Sequence, residues 1–265
     1  MLQGSSMLDF LYQQSDLMVF VIVAAMLILI SAIALLVIKH YFMVKGTYED
    51  NAVIANISSI IGVIYGVLAG LSALYLLNNI SYSYEVVQKE ASSAANVYQL
   101  TKFLKEPVQS DIQQQLRHYL EVVINDEWPL MSKRKPINDN DLIANMIDSI
   151  SRYADKKMID SATLHDLIND IKSLYNSREE RIQLSSTSLS IEIWEVVMIG
   201  TFLIIVINFF FRMSYRLHLV ALLAEIIMAS SVIFLLITLD TPFEGDYIVQ
   251  PSAYQSLLGY MQKHP

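Results

Sequence analysis

The sequence predicts an all-α membrane protein: four transmembrane helices, with a helical extramembrane domain inserted between helices 2 and 3 and long helices continuing out of the membrane. Three observations carry this expectation. Residues 17–38, 53–80, 191–211 and 217–239 are apolar runs of about 20 residues or more, the length a helix rising about 1.5 Å per residue needs to cross about 30 Å of hydrocarbon. Between the second and third runs, apolar residues recur at three- and four-residue intervals, the helical period. No strand-like alternation of useful length interrupts them.

The first run sits where a secretion signal would, but its apolar stretch is too long, no basic residue precedes it and no small-residue cleavage site follows. It is expected to stay as an anchor. The second run carries two overlapping patterns. Gly62, Gly66 and Gly70 repeat every fourth residue, with Ser58 in register and Ala73 close to it, so backbones can approach closely along that face. Ser58, Tyr65, Ser72 and Asn79 repeat every seventh residue, and their hydroxyls and amide either bond across packed helices or line a narrow wet path between assembled copies. Because no glycine or proline lies between Gly70 and Pro107, one helix is expected over residues 53–106, on the order of 80 Å long.

Residues 81–190 read as four amphipathic helices. Their apolar faces are Tyr84, Val87, Ala91, Ala94 and Tyr98; Ile112, Leu116, Tyr119 and Val123; Leu142, Met146 and Ile150; and Leu164, Leu167, Ile168, Ile171 and Leu174. Breaks are expected at Pro107, at Trp128-Pro129, over residues 136–139 and near Ser161, whose hydroxyl would cap the last helix. Residues 177–211 contain no breaker before Gly200, which predicts a second long helix.

Ionisable groups inside a span are costly, which makes each a candidate site. Glu225 lies about a third of the way into the fourth run, near Ala221, Ala224 and Ser230. It must face protein or water, either as a cation or proton site or as the partner of Arg212 or Arg216. Glu192 and Glu195 begin the third run, where the positive end of the helix dipole favours carboxylates, and read as interfacial charges. Asn208 reads as a hydrogen bond between helices.

The fourth run ends in an acidic turn, in which Asp240, Glu244 and Asp246 crowd around Pro242, Phe243 and Gly245. Thr241 with Pro242 and Glu244 fits a capping box, and Ser252 with Gln255 fits another before an amphipathic helix using Tyr254, Leu257, Leu258 and Met261. Capping accounts for this spacing but not for three carboxylates just outside a membrane, which is also the composition of a cation-attracting pore mouth.

Composition narrows the function classes. A net charge of −8 argues against nucleic acid and against a polybasic grip on anionic lipid. The absence of cysteine removes thiolate metal sites and disulfides. The histidines, at 40, 118, 165, 218 and 264, have no metal-ligand spacing, and the chain has no phosphate loop, nucleophile elbow or His-Glu-x-x-His. No enzyme, cofactor or metal is expected. Lys39 and Lys45 lie in the first connection and Arg212 and Arg216 in the third, whereas the N-terminal tail has no base and Lys263 alone follows the fourth run. By the positive-inside rule the two short loops are cytoplasmic, and both termini and residues 81–190 face outward, in a bacterium the periplasmic side of the inner membrane.

The stretch Leu239-Asp240-Thr241-Pro242-Phe243-Glu244-Gly245 resembles the Leu-Asp-x-Pro-Phe-x-Gly signature of the bestrophin-like membrane proteins, a family of unknown function widespread in bacteria. Val249 and Pro251 follow as in that family, and Glu90-Ala91, Glu127-Trp128-Pro129 and Asn176 with Arg178 and Arg181 are similar to it too. The chain departs from it at Thr238, where members often carry a glutamate, and at Thr241, where they often carry a base. The resemblance implies a homo-oligomeric ion channel, a pentamer if assembled as bestrophins are, although animal bestrophins keep their termini in the cytoplasm. Joined to the acidic mouth, it predicts a channel for small cations around the second span. The rival reading is a non-conducting receptor or scaffold whose outer domain binds a ligand or protein. A proton-coupled transporter using Glu225 is a third, disfavoured by four spans with no inverted repeat.

Overall fold

The structure, a computed structural model, describes residues 16–41, 49–137, 141–243 and 249–264. Its main helices are α1 (Asp16–Tyr41), α2 (Asp50–Thr101), α3 (Val108–Val122), α4 (Leu142–Asp155), α5 (Ser161–Ser185), α6 (Ile191–Asn208), α7 (Tyr215–Leu239) and α8 (Ser252–Lys263). Among the described residues there is no strand. Helices α1, α2, α6 and α7 are long and apolar enough to cross a membrane. The protein is therefore an all-α membrane protein in which the second span and the helix emerging from it are one 52-residue element.

The chain divides into two compact units. The first contains α1, α2 as far as Asn78, and Ser188–Thr241. Within it α7 packs on α1 and α6, and the rings of Phe20 and Phe234 meet edge to face at 5.9 Å. Only 17–33 % of each span's most apolar stretch is buried by the chain itself, so lipid or further subunits must cover the remainder.

The second unit contains Asn79–Thr187, Pro242, Phe243 and α8. Its core is the set of residues that the helical period picks out. Ile112, Leu116, Tyr119 and Val123 of the α3 segment, Met146 and Ile150 of α4, and Leu167, Ile171 and Leu174 of α5 are all fully buried. Full burial of one such side chain is worth about 1.5–3 kcal/mol, which is why an amphipathic stripe fixes each helix's rotation. Phe243, Val249, Tyr254 and Met261, from the end of the chain, complete this core.

Four expectations about boundaries are corrected. The chain does not break at Trp128-Pro129: α3 runs through a π turn, Val123–Glu127, into a last helical turn, Trp128–Met131. A proline inside a helix lacks an N–H and collides with the carbonyl four residues earlier, and the wide turn before Pro129 relieves that conflict. The segment closes on Arg134 at φ 50°, with its N–H on the Met131 carbonyl (3.0 Å) and the Lys135 N–H on that of Leu130 (2.9 Å). Ser161 is the first residue of α5 and Asp160 is its cap, the carboxylate accepting from the N–H groups of Ala162 (3.1 Å) and Thr163 (3.0 Å).

The long helix expected over residues 177–211 is two helices, α5 and α6, separated by residues 186–190. The run of hydroxyls there competes with helical bonding. Ser185, Ser186 and Thr187 each turn a hydroxyl back onto the preceding turn, at 2.6 Å to the Ile182 carbonyl and 2.8 and 3.1 Å to that of Gln183. Finally, α8 starts at Ser252 without a side-chain cap, while the capping box expected at Thr241 depends on Glu244, which lies outside the described residues. Residues 138 and 139 of the expected 136–139 break lie outside the described residues.

Candidate functional site

Three groups of residues bear on function. The first is the face of α2 in the membrane. Of the seven-residue polar stripe, Ser58, Tyr65 and Asn79 are half-buried and Ser72 is buried. The Tyr65 hydroxyl and Thr201 Oγ1 of α6 are hydrogen-bonded at 3.1 Å, and the Ser72 hydroxyl donates to the Leu68 carbonyl at 2.8 Å. Gly200 is what admits the Tyr65 ring: a Cβ built there would stand 2.6 Å from Tyr65 Cδ2. In the sequence Gly200 reads only as a possible breaker; its partner is 135 positions away, and no local pattern announces it.

The glycine row behaves differently. A Cβ added at Gly62, Gly66 or Gly70 meets nothing within 4 Å, and Gly66 and Gly70 are exposed. Elsewhere around α2, Ile60, Val63 and Leu71 are each at least 60 % exposed. On α2, Tyr65 and Ser72 therefore lie on the buried side with Ala69 and Leu76, while Gly66 and Gly70 are exposed.

The second group is a buried charge cluster in the second unit. Arg181 is fully buried, its Nε donating to Glu90 Oε2 at 2.7 Å and its Nη2 to Glu127 Oε2 at 2.6 Å and Glu90 Oε1 at 3.1 Å. Arg178 donates to Glu127 Oε1 from Nε (3.0 Å) and Nη2 (2.8 Å), and the Tyr119 hydroxyl donates to Glu90 Oε1 at 2.6 Å. The guanidinium of Arg181 also lies over the rings of Trp128 (5.6 Å) and Tyr254 (5.9 Å). Burial alone would raise the Glu127 carboxyl, yet the Arg181 and Arg178 guanidiniums outweigh it and hold that group below the ordinary carboxylate range. Burial, and then the Glu90 carboxylate, push the Tyr119 and Tyr254 phenols well above theirs. Glu90, Glu127, Arg178 and Arg181 are the dispersed residues on which the family resemblance partly rests, and folding brings them to one point.

The acidic turn is the third group. Asp240 is buried, and its Oδ1 accepts the Leu189 N–H at 2.5 Å. The Pro242 carbonyl accepts the Val249 N–H at 3.0 Å, and the Phe243 ring meets Trp128 edge to face at 5.5 Å. Glu244, Gly245 and Asp246 lie outside the described residues. Elsewhere, the Glu225 carboxylate faces the side-chain amide of Asn208, and among the described residues no ion pair joins it to Arg212 or Arg216. No group of three or more metal-ligating side chains occurs among the described residues.

No curated protein matches the chain. Among solved structures, a bacterial bestrophin homologue from Klebsiella pneumoniae superposes with a TM-score of 0.69 at 13% identity, covering 92% of this chain and 99% of that one. A single-substitution variant of the same homologue gives 0.70 at 12% identity, covering 95% and 98%. Another structure, described as that of a membrane protein, gives 0.67 at 12%, covering 92% and 97%. At this identity the likeness is one of fold. The family itself is shown by the sequence, since the model of the bestrophin-like domain matches residues 23–254. The chain belongs to the bestrophin-like family.

Proposed function

We propose that the protein is a homo-oligomeric ion channel of the plasma membrane, conducting small cations along an axis surrounded by copies of α2. The observation that carries the reading is the open outer face of α2. Gly62, Gly66 and Gly70 leave room for a second helix that their own chain does not supply. An oligomer places small residues where backbones converge, and the Ser58, Tyr65, Ser72 and Asn79 stripe then supports the wall from behind, through contacts such as that of Tyr65 with Thr201. Asp240 fixes the turn at the end of α7, and the neighbouring Glu244 and Asp246 are proposed to concentrate cations at the mouth. The family and the fold support membership in a channel-like architecture; the choice of cations rests on the acidic residues.

Ion flux in liposomes tests the proposal, comparing sodium, potassium and chloride gradients. Cation flux is expected for the native protein and its loss for Gly66→Leu, whose side chain fills the space a second helix would use. A well-folded oligomer passing no ion under any gradient would instead support the receptor or scaffold reading, with residues 81–190 as the binding domain. In the double variant Glu244→Gln, Asp246→Asn, assembly is expected to persist while cation preference over chloride falls; unchanged selectivity removes these acids from permeation.

The proposed orientation, with both termini and residues 81–190 outside, follows from the basic residues of the two short loops. A cysteine introduced at exposed Ser92 is the sole thiol in the chain. An impermeant thiol reagent is expected to label it in intact cells. Labelling only after permeabilisation reverses the assignment.

A further inference from the structure

Glu225 lies about three turns into α7, within an apolar span. Its carboxylate faces the Asn208 side-chain amide at the end of α6, and Asn208 is 2 % exposed. Glu225 Oε2 and Asn208 Oδ1 are both buried, and neither has a hydrogen-bond partner. Both atoms are acceptors when the carboxylate is ionised, so the pair lacks a donor rather than an acceptor. The helical backbone has already committed its N–H groups and supplies none.

Among the described residues no ion pair reaches Glu225 to take that role. On α7 itself the nearest titratable neighbours are His218, which stacks on Phe209 at 5.9 Å and whose Nε2 is also buried without a partner, and Arg216 in the first turn. From α6 come the Asn208 amide and the Phe209 ring, while Glu192 and Glu195 belong to the opposite end of that helix. From α1 the ionisable residues Asp16, Lys39 and His40 fall at the two ends of the element, and the buried Ser31 hydroxyl donates to its own Leu27 carbonyl at 2.7 Å. In the connection between α6 and α7, the backbone of Arg212 is bonded to the Asn51 side chain, both bonds at 2.9 Å.

We propose that Glu225 and Asn208 form an intramembrane proton-binding site. A proton taken from water onto Oε2 makes a neutral carboxylic acid, whose O–H donates to Asn208 Oδ1 while Asn208 Nδ2–H donates to Glu225 Oε1. The acid–amide ring so formed gives each partner one hydrogen bond donated and one accepted, and a single proton satisfies both orphan oxygens and removes the charge from the span. Releasing the proton to water restores the carboxylate. Occupancy of the site thus switches α6 and α7 between a joined neutral state and a state with a buried charge, whether or not the protein conducts ions.

Infrared difference spectroscopy of the purified protein in lipid reads this independently of flux. Near neutral pH, native protein minus Glu225→Gln is expected to show one protonated-carboxyl C=O band that shifts in D2O and disappears as pH rises. The glutamine is well suited to the comparison, because its amide N–H can replace the acid's donor to Asn208 Oδ1 and keep the helices joined. In Asn208→Leu the band should persist at a shifted frequency, since the acid has lost its partner. A native protein lacking the band at every pH, or a band that Glu225→Gln retains, overturns the site. A band that appears only when sodium is omitted assigns the position to a metal cation and overturns the proton.

Discussion

Replacing Arg181 by methionine is expected to destabilise the second unit by about 3–5 kcal/mol, the cost of leaving a buried charge without its partner. Arg181 and Glu90 are both fully buried and paired with each other, whereas Arg178 is bonded to Glu127 and Glu179. The second change Glu90→Gln, made with Arg181→Met, should recover much of that loss, because it removes the stranded charge rather than its partner. Thermal unfolding followed by the fluorescence of Trp128, which lies against Arg181, reports the difference. If the single variant unfolds with the native protein, the cluster is not a structural centre.

Acid should have a related effect with a definite sign. Because the folded protein holds the Glu127 carboxyl below its ordinary value, that group contributes stability which is fully present above the unfolded carboxylate range. The contribution is lost as pH falls through the folded value. Arg178 and Arg181 are shifted up, so their contribution is present everywhere below the ordinary arginine range and produces no loss at attainable alkaline pH.

Phe243→Ala is expected to cost about 3–5 kcal/mol in the second unit, as truncations of well-packed core aromatics do. The ring is 2 % exposed and sits edge to face on Trp128, which in turn meets Tyr254 at 5.7 Å. Phe243→Leu keeps most of the volume and should cost less than half as much. Chemical unfolding read by near-ultraviolet dichroism distinguishes the two. Equal stability of the alanine variant and the native protein would mean that the aromatic of the turn serves something other than packing in this unit.

The helices were legible in the sequence because hydropathy and a 3.6-residue period are local properties. Residues such as Ile112, Leu116 and Tyr119 announce their face without reference to anything distant. Boundaries were less legible where side chains compete with the backbone. The three hydroxyls of residues 185–187 end α5 although none is a strong breaker alone, and Asp160 outcompetes Ser161 for the cap because its carboxylate reaches two N–H groups. Of the candidate residues, the polar and glycine patterns of α2 were both visible, but sequence spacing assigns no direction to either. The in-chain partner that turns Tyr65 inward, Gly200, carries no signal of its own. The charge cluster was visible only as scattered resemblances, because Glu90, Glu127 and the two arginines stand on different elements and meet only after folding.

The π turn at Val123–Glu127 amounts to one surplus residue in an otherwise regular winding. Insertions of this kind are reversible bookkeeping in a chain's history: deleting Asn125 would restore ordinary pitch, bring Pro129 back against the carbonyl behind it, and rotate Glu127 by about 100° relative to α3. A relative with a one-residue gap here would therefore have to lack that proline, or carry its acid at a neighbouring position.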